Sequence, residues 1–218
     1  MANRSMPFRF LDLPPELRMR VYPYLLEEDR GISIRHSKTT KLKARAIGTY
    51  WTPLNMPVAL LATCKIINKE ATPVLYGNNS FSVDPRTRPL QDHFLEKIGG
   101  SIRYLRRVTL AWANKRERHA MLVRLKKAVF LTELGLPWYL VSHVGIEAIA
   151  KELGPLIRSL HKSQRKDEER KERKVSNIIV VPAGDRHSFR SLEKHTRAVG
   201  EAKQGETEIR DILEKTLK

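Results

Sequence analysis

The stretch IRYLRRVTL, residues 102–110, is answered further along by AVFLTELGL, residues 128–136. Ile102, Leu105, Val108 and Leu110 return as Ala128, Leu131, Leu134 and Leu136, each 26 residues on. A fixed interval between similar apolar patterns marks one structural unit stacked on the next. NNSFSV, through Phe81 and Val83, lies about one interval earlier and reads as a degenerate copy of the strand. NIIVVP, residues 177–182, reads as another buried strand at a longer interval.

The L-x-x-L-x-L spacing and the interval both fit a leucine-rich-repeat unit of ~20–29 residues. Helical patterns fill the intervals. LQDHFLEKIG is short, and RERHAMLVRLKKAV sets Met121, Leu122, Leu125 and Ala128 on one face. GIEAIAKELGPLIRSL carries the stripe Ile146, Ile149, Ala150, Leu153, Leu156, Ile157 and Leu160, with a kink expected at Gly154-Pro155. Strands alternating with helices predict parallel strands joined by crossover helices.

Upstream, FRFLDLPPELRMRVYPYLL spans residues 8–26. A helix is expected from Pro15, because the missing proline N–H would be unpaired at a first helical position anyway. Glu16 then favours the helix dipole. Leu17, Val21, Tyr24 and Leu25 fall at i, i+4, i+7 and i+8 and form one apolar face. Pro23 removes a hydrogen bond and should kink or shorten the helix. Residues 27–57 read as an exposed basic loop, with RHSKTTKLKAR at its centre. A second helix, VALLATCKIINKEATPVLY, carries the buried stripe Leu60, Cys64, Ile67, Ala71 and Val74. Pro73 should interrupt it, and Gly77-Asn78-Asn79 is a stop signal.

Past the repeats, HKSQRKDEERKERK extends the preceding helix as a solvated, charge-striped arm. From Gly184 onward the chain is polar, with EIRDILEKTLK as an amphipathic terminal helix through Ile209, Ile212, Leu213 and Leu217. Three regions follow: 8–81, helical with the basic loop 27–57; 82–183, repeat-like strands and helices; and 184–218, a polar tail.

The chain has 218 residues, a net charge of +17 and one cysteine, Cys64. No run approaches the ~18 apolar residues of a membrane span. With no secretory leader pattern and no internal disulfide possible, an intracellular location is expected, in cytoplasm or nucleus. No phosphate loop, dinucleotide fingerprint, nucleophile elbow or zinc-protease pattern occurs, so no catalytic, cofactor or metal residue is assigned. Cys64 is expected to pack rather than react, since an apolar site raises a thiol's pKa.

Two segments carry a family resemblance. FLDLPPELRMRVYPYLL resembles the opening of an F-box, with its Leu-Pro-x-Glu-Leu start. ALLATCKIINKEATPVLYGNNSF is similar to a signature of a large group of fungal F-box-like proteins. The matching positions are Leu60, Leu61, Thr63, Cys64, Lys65, Ile67, Glu70, Ala71, Tyr76, Gly77, Asn79 and Phe81. FLEKIGGSIRYLRRVTL resembles that group's next block, in which a helix leads into a repeat-like strand. The chain departs from the pattern in its long basic loop, in Pro23 and in Ile66, where a glutamine is usual.

The resemblance implies a non-enzymatic adaptor, a substrate receptor that binds the Skp-type adaptor of a cullin-RING ubiquitin ligase and holds a target protein downstream. It also implies an α/β fold, with F-box-like helices packed on a short leucine-rich-repeat-like sheet with crossover helices. Leu13, Pro14 and Leu17 are then the partner-binding residues, and an apolar edge of this kind can carry most of an interface's energy. Leu13 fits equally a hydrophobic staple that packs back on the helix. Net positive charge would speed encounter with an acidic adaptor.

A second class, a nucleic-acid-associated protein, rests on basic clusters. Arg103, Arg106, Arg107, Lys115, Arg116 and Arg118 surround the first quoted strand. Further cations lie in the basic loop (Arg35, Lys38, Lys41, Lys43, Arg45) and on the helical arm (Arg165, Lys166, Lys171, Lys174). Tyr104 and Trp112 are candidates for base stacking, although the same spacing suits packing in a strand.

Overall fold

The computed structural model describes residues 9–36, 42–46, 56–83, 90–109, 115–164, 175–182 and 192–217. The helices are α1 (Pro15–Leu26), α2 (Lys65–Asn78), α3 (Leu90–Ile98), α4 (Lys115–Leu125), α5 (Trp138–Val144), α6 (Ile146–Gln164) and α7 (Leu192–Leu217). The strands are β1 (Ile32–His36), β2 (Leu42–Ala46), β3 (Ser80–Val83), β4 (Arg107–Thr109), β5 (Glu133–Gly135) and β6 (Ile179–Val180). They form one sheet in the order β2-β1-β3-β4-β5-β6. Only β1 and β2 run antiparallel; every other neighbouring pair is parallel.

Register explains the spacing of the apolar residues. Ile32, Phe81, Val108, Leu134 and Ile179 lie side by side across five strands. All five are buried and form a continuous inner row. Side chains alternate across a strand, so their neighbours Ser33, Ser82, Thr109, Gly135 and Val180 make the opposite row. Phe81 extends the inner row sideways, its ring centroid 5.7 Å from Tyr76 and 5.5 Å from Phe94. One apolar cluster runs from Tyr22 to Leu213 and draws on all three expected regions. Each large side chain fully buried in it contributes about 1.5–3 kcal/mol.

Four sequence expectations need correction. The stretch 27–57 is not a plain loop, since it supplies β1 and β2. Ile32 and Ile34 alternate into the core, and pairing with β3 holds them there. Second, the repeat unit is not strand throughout: Gly99–Tyr104 is a 3-10 turn, and β4 covers only Arg107–Thr109. Likewise Val175–Ile178 is a 3-10 turn before the two-residue β6. Third, the terminal helix is 26 residues long and buries Ala198, Ala202, Ile209 and Leu213.

The fourth correction concerns α1. Its inward residues are Arg18, Tyr22 and Leu26, one turn apart. The face of Leu17, Val21, Tyr24 and Leu25 looks outward, with Leu17 44%, Tyr24 90% and Leu25 38% exposed. The helix runs three residues past Pro23, whose carbonyl accepts from the Glu27 N–H at 2.9 Å. The α2 stripe of Ile67, Ala71 and Val74 is buried as its spacing predicts. Leu110, Trp112 and the arm from Arg165 to Lys174 lie outside the described residues.

Candidate docking surface

Glu70 organises the N-terminal helices. Arg18 gives its carboxylate two bonds, Nε to Oε2 at 3.0 Å and Nη2 to Oε1 at 2.6 Å. The Tyr22 hydroxyl donates to Oε2 at 2.8 Å. Arg18 and Tyr22 are buried, so the planar guanidinium and the carboxylate are paired edge to edge away from water. These bonds hold the Glu70 carboxyl below its ordinary range, and burial opposes them only in part. Burial, reinforced by the bond to Glu70, pushes the Tyr22 phenol up to about 12.

The remaining Arg18 nitrogen fixes the approach to the helix. Nη1 donates to the Leu11 carbonyl at 3.2 Å and the Leu13 carbonyl at 2.6 Å. Arg18 thus ties Leu11–Leu13 to α2 through Glu70. Leu13 sits half-buried in this turn, while Pro14 and Leu17 are exposed. Leu11 is exposed too, as are Val58 on the 3-10 turn Val58–Ala62 and Ile66 at the start of α2. Charge and hydrogen-bonding groups are turned inward here, and an apolar stripe about 10 Å long is turned outward along α1. Surface leucines scattered singly are ordinary; apolar residues recurring on one helical face are not.

The signature residues mostly build this platform. Asn79 donates to the Leu26 carbonyl at 2.6 Å and the Leu75 carbonyl at 2.8 Å, and its Oδ1 accepts from the Glu28 N–H at 2.7 Å. It closes the ends of both helices at once. Ala71 is fully buried between them and Phe81 belongs to the inner row. Cys64 is the residue before α2, not part of its stripe; it is half-buried and its sulfur accepts from the Ile67 N–H at 3.5 Å. Arg18 and Tyr22 carry the network yet escape a reading by periodicity, because an arginine in an exposed-looking pattern gives no sign of a partner on another helix.

The basic set divides. Arg118 is buried and gives Glu152 two bonds, at 2.9 Å and 3.0 Å, so it is a packing residue rather than a phosphate contact. Arg107 donates to the Asn78 carbonyl. Arg103 lies over the Tyr104 ring at 4.7 Å, which covers one face of the candidate stacking tyrosine. Arg106, Lys115 and Arg116 are exposed. The side chains of Arg35, Lys38, Lys41, Lys43 and Arg45 lie outside the described set, as do the cations of the arm.

Among the described residues no three His, Cys, Asp or Glu side chains are grouped to hold a metal ion. No described helix is long and apolar enough to cross a membrane. Comparisons with protein-family models, curated proteins and solved structures find no match to this chain.

Proposed function

We propose that this chain is a non-enzymatic protein-interaction adaptor: an F-box-like substrate receptor of a cullin-RING ubiquitin ligase, acting in cytoplasm or nucleus. Its α1 face, with Leu13, Pro14 and Leu17 at the leading end, meets a Skp-type adaptor. The observation that carries this reading is the inversion of α1, with Arg18 inside and Leu17, Tyr24 and Leu25 outside. An apolar helix face left in water costs free energy that a partner recovers on binding. The Arg18–Glu70 pair supports the reading because it fixes the edge before binding, which lowers the ordering cost.

The parallel run β3–β6 is read as a leucine-rich-repeat-like ladder, its rungs formed by Phe81, Val108, Leu134 and Ile179. The ladder presents the target-binding surface. The nucleic-acid reading loses Arg118 to the interior, and its remaining described members are ordinary exposed cations.

Co-purification with a Skp-type adaptor at moderate salt tests the proposal, with Leu13→Ala/Pro14→Ala in parallel. A stoichiometric complex that the double variant loses is expected. A folded wild type that yields no complex, but binds nucleic acid with a steep salt dependence, points to the second class instead.

A further inference from the structure

β6 is the last strand of the sheet, so one of its edges has no strand beside it. The Val180 carbonyl accepts from the Leu136 N–H at 2.8 Å, which turns Val180 toward the β5 side. Backbone groups alternate along a strand, so the Ile179 carbonyl and the Val181 N–H face the open edge. Both are occupied from α7. Arg210 donates to the Ile179 carbonyl through Nε at 3.1 Å and Nη2 at 2.7 Å. Glu206 accepts from the Val181 N–H at 2.8 Å. The two side chains, one turn apart, are themselves paired at 2.7 Å. Together they offer β6 a donor and an acceptor where a neighbouring strand would offer its own N–H and C=O.

The two ends of the sheet are protected differently. The strand β2, LKARA, carries Lys43 and Arg45, and charge on an edge strand is a common guard against pairing with another chain. The run Ile178-Ile179-Val180-Val181 is uncharged and β-branched, the composition that pairs most readily when exposed. What guards it is α7. That helix is held by modest anchors, Ala198, Ala202, Ile209 and Leu213, with Gly205 set against the Trp138 ring. The Arg210–Glu206 pair is partly open to water.

We propose that α7 is a lid on a strand-docking edge: Arg210 and Glu206 stand in for a seventh strand, and displacing them opens β6 to the same edge of a second copy of this chain. The edge is self-complementary in composition, and two identical edges related by a two-fold axis pair antiparallel. This inference is independent of what α1 binds.

Light scattering on the full chain across a concentration series tests it. The wild type is expected to keep one mass throughout, while Glu206→Ala/Arg210→Ala doubles its mass as concentration rises. Adding Val181→Pro should return the variant to a single mass, because it removes the edge N–H without touching the β5 pairing. Arg197→Ala/Glu201→Ala, which breaks an exposed pair on the same helix, should behave as wild type. The proposal is overturned if the folded Glu206→Ala/Arg210→Ala variant stays at one mass, or if association survives Val181→Pro. It is equally overturned if that variant fails to fold, or if the control pair associates as strongly, since α7 would then brace the whole fold rather than cover an edge.

Discussion

Glu70 accepts three hydrogen bonds, two from Arg18 and one from Tyr22. Two pH windows follow from that arrangement. Its folded carboxyl sits below the ordinary value of 4.5, so its contribution is fully present above that value and is lost as pH falls through the lower folded one. Urea midpoints against pH should show this acid loss in the wild type and a flatter profile in Glu70→Gln, which is less stable at neutral pH. Tyr22 behaves in the opposite sense. Its phenol is raised from 10.0 to about 12, so its contribution is present below the first value and lost between the two. Tyr22→Phe should cost about 1.5–3 kcal/mol at neutral pH, the worth of a bond to a charged group. It should also remove the alkaline part of the decline. Neither residue is legible as a partner of the other in sequence, because 48 positions separate them.

At the scale of elements, periodicity finds a stripe but not the side on which the core lies. On α6 the two coincide, since Ile149, Leu153, Leu156, Ile157 and Leu160 are apolar, evenly spaced and buried. On α1 two stripes compete, and the one bearing an arginine goes inward because Glu70 is waiting on α2. Strand β1 was illegible for a related reason: Ile32 and Ile34 give only one alternation, and pairing with the distant β3 fixes it. Asn79 joins α1 to α2, and Asn79→Ala should cost on the order of 1–3 kcal/mol for each buried group left unpaired, read by chemical denaturation. Helix α7 offers a contrast in sign. Alanine for glycine inside a helix gains about 1 kcal/mol. At Gly200 nothing lies within 4 Å of an added methyl, so Gly200→Ala should raise the melting temperature. At Gly205 the methyl would meet the Trp138 ring at 2.5 Å, and overpacking of about 1–3 kcal/mol outweighs the gain. Gly205→Ala should therefore melt lower.

For the molecule as a whole, alternation of strands and helices made the parallel sheet legible, and the recurrence of Val108 at Leu134 placed two neighbouring strands in register. The chain's +17 charge did not locate a surface, because charge in sequence does not separate a buried Arg118 from an exposed Arg106. The outward face of α1 is the claim on which the functional account turns. The most direct measurement is a titration of a purified Skp-type adaptor into the wild type and into Leu17→Asp/Tyr24→Asp, at low and high salt. Both substituted positions are exposed, so the variant should keep wild-type stability to within about 0.5 kcal/mol. The account predicts stoichiometric binding by the wild type that persists at high salt and is lost in the variant. Equal binding by the two chains, or none by a folded wild type, would contradict it.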